Sequence, residues 1–75
     1  MIPIYTTDHI PIAGSNPVVQ AFPVWADDHD IGKALDKLAY AARQRGAHAV
    51  IGLRSSYNSD YHQHILIGTA VILAT

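Results

Sequence analysis

The stretch His62-Gln63-His64-Ile65-Leu66-Ile67-Gly68-Thr69-Ala70-Val71-Ile72-Leu73 decides the fold. Strand alternation puts Ile65, Ile67, Thr69, Val71 and Leu73 on one side and Leu66, Gly68, Ala70 and Ile72 on the other, so both faces are apolar. Such a strand needs cover front and back. Immediately before it, Asn58-Ser59-Asp60 reads as a turn, and residues 47–57 read as the preceding antiparallel strand. In that strand Ala49, Ile51, Leu53, Ser55 and Tyr57 alternate with His48, Val50, Gly52, Arg54 and Ser56.

Further back, Gly46 stops a helical pattern in which Ile31, Leu35, Leu38 and Ala42 form one apolar stripe. Asp27, Asp28 and Asp30 crowd its start, where carboxylates cap free N–H groups and meet the positive end of the dipole. The expected helix covers residues 30–45. Residues 18–25, β-branched and aromatic, read as a strand in which Pro23 demands an unpaired side or a bulge. Residues 2–5 read as a weak strand, limited by Pro3, and residues 8–17 as a loop rich in turn formers. The fold class is therefore α+β, a βαββ subunit with one helix on an antiparallel sheet, in a single domain over residues 1–75.

A chain of 75 residues without cysteine lies near the size at which a lone core only just outweighs chain entropy, and disulfides cannot help it. Nearly half of it, 49%, is hydrophobic and only 15% is charged, an apolar excess for so small a domain. One helix cannot shield both faces of the last strand, so the pattern predicts a homo-oligomer in which neighbouring copies cover the second face. A net charge of −1 offers no footprint for nucleic acid or anionic lipid. The apolar run at 65–74 is too short to span a bilayer, and the first residues lack the pattern of a secretory signal, so no membrane partner and a cytoplasmic location are expected.

The run Ala39-Tyr40-Ala41-Ala42-Arg43-Gln44-Arg45-Gly46-Ala47-His48-Ala49-Val50-Ile51-Gly52-Leu53, the later Ile67-Gly68-Thr69-Ala70-Val71 and the opening Thr6-Thr7-Asp8-His9-Ile10-Pro11 resemble the YbjQ-type heavy-metal-binding family. The resemblance covers about two thirds of the chain. It implies a dodecin-like βαββ subunit that closes into a ring, a pentamer, and a divalent metal as ligand. Between Trp25 and Asp30 this chain lacks the longer Arg-, Asp- and Gly-rich insertion of that family, which puts any activity of the insertion in doubt. The helix, the Gly-Ala after it and the terminal Gly-Thr-Ala are also similar, more weakly, to YdgH/BhsA-type stress proteins, which carry signal peptides.

His62 and His64 flank Gln63, so on a strand both imidazoles point to one side with Cα atoms roughly 7 Å apart. Imidazoles so placed suit Zn²⁺, Ni²⁺ or Cu²⁺. Asp60 in the adjoining turn, His48, His9 or a neighbouring copy would complete the shell. The alternative is that both histidines simply face solvent at a polar strand start. His29 among Asp27, Asp28 and Asp30 fits a ligand cluster or, more simply, a capped helix start. Trp25, Phe22, Tyr5, Tyr57 and Tyr61 would stack on a flat ligand such as a flavin, or else fill a core or subunit interface. No phosphate-cradling loop, catalytic triad spacing or cysteine nucleophile is present, so a non-enzymatic protein is expected.

Overall fold

The computed structural model describes residues 2–8 and 17–74. Strand β1 (Val18–Asp28) leads to helix α1 (Ile31–Gln44), then to β2 (Ala49–Asn58) and β3 (Gln63–Leu73). All pairing between the three strands is antiparallel in the order β1-β3-β2, so the doubly apolar strand is the central one. This is the βαββ, α+β arrangement with one helix packed on the sheet.

Helix α1 begins where Asp30, in extended conformation, accepts the Lys33 N–H at 3.1 Å. It ends at Gly46, whose φ of +84° is the left-handed stop that a β-carbon would oppose. Its buried residues are Ala34, Leu38, Ala39 and Ala42, whereas Ile31 is half exposed. The buried stripe is thus rotated from the expected one, and small alanines let the helix sit close over Phe22 and Val24 of β1. The helix lies over β1 and β3 and scarcely reaches β2. Leu38, Leu66, Val50 and Ala70 close the core beneath it.

Residues 2–5 do join the sheet, as expected of a weak strand. Ile4 makes a parallel bridge with Val50, the Tyr5 N–H donates to the Val50 carbonyl at 2.8 Å, and the Val50 N–H donates to the Pro3 carbonyl at 3.0 Å. Pro3 is tolerated because only its oxygen is used. The segment covers the outer edge of β2, where Arg54 Nη1 donates to the Thr6 carbonyl at 3.0 Å.

A bulge in β2 overturns the expected alternation there. Ile51 lies opposite Thr69 but Arg54 lies opposite Ile67, so three steps of β2 match two of β3. Gly52, at φ +64°, supplies the left-handed conformation at the extra residue. Ala49 and Ile51 therefore share a face with Arg54 and Ser56, while Ser55 and Tyr57 turn to the helix side.

Strand β1 extends to Asp28, three residues beyond expectation, and is the edge that Pro23 requires. The Ala74 N–H donates to the Pro17 carbonyl and the His48 N–H to the Val71 carbonyl, both at 2.9 Å, so even-numbered residues of β3 bond towards β1 and odd ones towards β2. Pro23 faces Thr69, and its nitrogen therefore points to the free edge, blunting it against further strand addition.

On the face away from the helix, cover is uneven. Val71 and Ala49 are 1% and 3% exposed, whereas Ile67 is 50% and Trp25 67% exposed. Among the described residues no helix is long and apolar enough to cross a membrane.

Candidate functional site

The expected histidine site falls at one end of the sheet, where β1 hands over to α1 and β2 turns into β3. His64 is in β3 and lies directly opposite Asp28 on one side and Tyr57 on the other. His62 is not in the strand. Residues 59–62 form the turn, the Asp60 N–H is taken by Asn58 Oδ1 at 3.0 Å, and His62 closes the turn at φ +52°. Histidine is among the residues that enter the left-handed region most readily. The equal orientation expected for His62 and His64 on one strand does not hold, because the turn rotates His62 out of the strand's alternation.

Tyr57 is what links the two rings. Its hydroxyl lies 3.3 Å from His62 Nδ1, and its ring stands 5.0 Å from the His64 ring at a 57° tilt. His29, between β1 and α1, donates from Nδ1 to the His62 carbonyl at 2.8 Å. That bond ties the helix start to the β2–β3 turn and leaves capping to Asp30. Two imidazoles, His62 and His64, thus meet at Tyr57, while His29 is joined to His62 only through its backbone carbonyl, a link invisible in sequence because the two are 33 residues apart.

The rest of this corner is ionic. Asp28 Oδ1 accepts the Asp30 N–H at 3.0 Å, and Asp28 Oδ2 stands 2.8 Å from Lys37 Nζ. The Asp30 N–H first and the Lys37 ammonium second stabilise the ionised carboxyl and lower its pKa from 3.8 to about 2. The same hydrogen bond raises that of Lys37. Lys37 also donates to the Asp27 carbonyl at 3.2 Å.

As a metal shell the corner is incomplete. Among the described residues no three His, Cys, Asp or Glu side chains stand together in a group able to hold a metal ion. Asp60 is exposed on the turn. His48 is at the other end of β2, and its Nδ1 accepts the Leu73 N–H at 2.9 Å. Next to Ala49, which pairs with Val71 at the far end of β3 from the 59–62 turn, His48 is kept out of a shell with His62 of the same copy. His9 is outside the described residues. His62, His64 and Asp60 of one copy would supply part of a shell, and no chemistry follows from them alone.

The aromatic residues also divide. Phe22 is buried in the core under the Arg45 guanidinium, 3.9 Å from the ring centroid. Trp25, with Pro23, Val24, Ala41 and Arg45, lines a cleft of about 190 Å³ between the β1 edge and the helix. Tyr57 and Tyr61 are exposed at the histidine end, 53% and 68%. Neither a protein-family model nor a curated protein sequence matches this chain.

Proposed function

We propose that this protein is a non-enzymatic, cytoplasmic assembly subunit whose sheet is completed by other copies of itself. The observation that carries the reading is the pair Trp25 and Ile67, directly opposite each other in register, on the sheet face the helix does not cover and half or more exposed. Apolar side chains grouped this way lose contact with water when a second copy covers them, at about 25 cal/mol for each Å² buried. The test is light scattering on a size-exclusion column. A mass of at least twice 8.1 kDa is expected, and a monomer at micromolar concentration contradicts the reading. The ring of five implied by the YbjQ-type resemblance is measured in the same run.

The meeting of His62 and His64 at Tyr57 favours a second reading, in which a divalent Zn, Ni or Cu ion binds His62 and His64, with Asp60, and draws its remaining ligands from another copy. Elemental analysis of tag-free protein should then find a fixed metal fraction per chain, and chelator should lower the melting temperature. Metal no higher than in the buffer, with melting unmoved by chelator, removes that reading.

A further inference from the structure

The open end of the sheet carries more than an apolar patch. Across the three strands, Trp25, Ile67 and Arg54 form one row, because Ile67 is the register partner of both of the others. Arg54 is held by its bonds from Nη1 to the Thr6 and Leu53 carbonyls, both 3.0 Å, and by Asp8 at 3.7 Å, yet its side chain stays 61% exposed. The guanidinium is therefore fixed in place and still presents a face to solvent. In the adjacent row Asp27, Ile65 and Ser56 run across the same strands.

We propose that a second copy of this chain docks face to face on this end of the sheet, about a two-fold axis parallel to β3 above Ile67. The rotation exchanges the β1 and β2 sides. Trp25 of each copy then lies over Arg54 of the other, and Ile67 packs on Ile67. An indole face is the best aromatic partner for a guanidinium, and a preorganised cation loses little freedom on stacking. Asp27 of one copy lands beside Ser56 of the other, one row from its Arg54, so opposite charges rim the apolar centre. Two sheets packed this way stand about 10 Å apart, the spacing at which such side chains interdigitate. The β1 edge is the rival contact, and Pro23 disfavours it for the reason given above.

This inference deepens the self-assembly reading and rests on it. The experiment combines sedimentation mass with fluorescence of Trp25, the chain's single tryptophan. On raising the protein concentration, the mass should double, and the emission should shift to the blue and lose accessibility to iodide over the same range. Trp25→Ala should weaken association by about tenfold or more with unchanged monomer circular dichroism, since Trp25 is mostly exposed in one copy. Arg54→Ala should weaken it similarly. An assembly, pentameric or otherwise, in which iodide reaches Trp25 as freely as in dilute monomer overturns the contact and leaves self-assembly standing. A monomer at every concentration overturns both.

Discussion

His62 and Asp28 show how much a single side chain's surroundings decide. His62 sits next but one to His64 in sequence, yet its φ of +52° takes it out of the strand, and its partners become Tyr57 and His29. Asp28 ends an edge strand, and two donors hold its charge: the Asp30 N–H and the Lys37 ammonium. A carboxyl lowered from 3.8 to about 2 on folding stabilises the native state fully above pH 3.8 and loses that contribution as pH falls through 3.8 towards 2. Melting curves of the wild type and Asp28→Asn should therefore differ at neutral pH and converge as pH approaches 2. A constant offset down to pH 2 would place the effect of Asp28 elsewhere. The aspartate-rich helix start was legible from residues 27–30 alone, since capping is local; the His29 to His62 bond was not, since it crosses the fold.

At the scale of elements, β3 and the helix govern the packing. Gly68 is central to β3, and a β-carbon there would come within 2.7 Å of Val50 Cγ1, closer than packed atoms tolerate. Gly68→Ala should destabilise the fold by about 1–3 kcal/mol, read as a lower midpoint in urea with an unchanged slope. Stability equal to wild type would mean that Val50 has room to turn aside. The helix was readable to within a residue because its cap, stripe spacing and glycine stop are all local signals. Which residues of the stripe are buried was not, because that depends on the angle at which the helix meets β1. The bulge at Gly52 was also hidden: a glycine in a strand has several uses, and only the pairing of Arg54 with Ile67 identifies this one.

For the whole molecule, the question is what closes the uncovered part of the sheet. Val71 and Ala49 are already buried within one copy, so the apolar side chains left most exposed on this face are Trp25 and Ile67 at one end and Val18 at the other. This narrows the effect of Ile67→Asp. A half-exposed carboxylate remains hydrated in a lone copy but would be buried and unpaired in an assembly. The variant should keep its far-ultraviolet circular dichroism and sediment as a monomer. An Ile67→Asp protein with wild-type mass would show that the opposite face is not where the copies meet.

The amino-acid order by itself determined the βαββ succession, the capped helix, the two apolar faces of β3 and the unpaired side or bulge that Pro23 demands in β1. Each of these follows from period, propensity or a missing donor within a short window of chain. Only the tertiary structure decided the central place of β3, the β2 bulge, the rotation of the buried helix stripe, the parallel attachment of residues 2–5 and the meeting of His62 and His64 at Tyr57. Those depend on register and approach between segments distant in sequence, where several arrangements satisfy the same local preferences and packing selects among them.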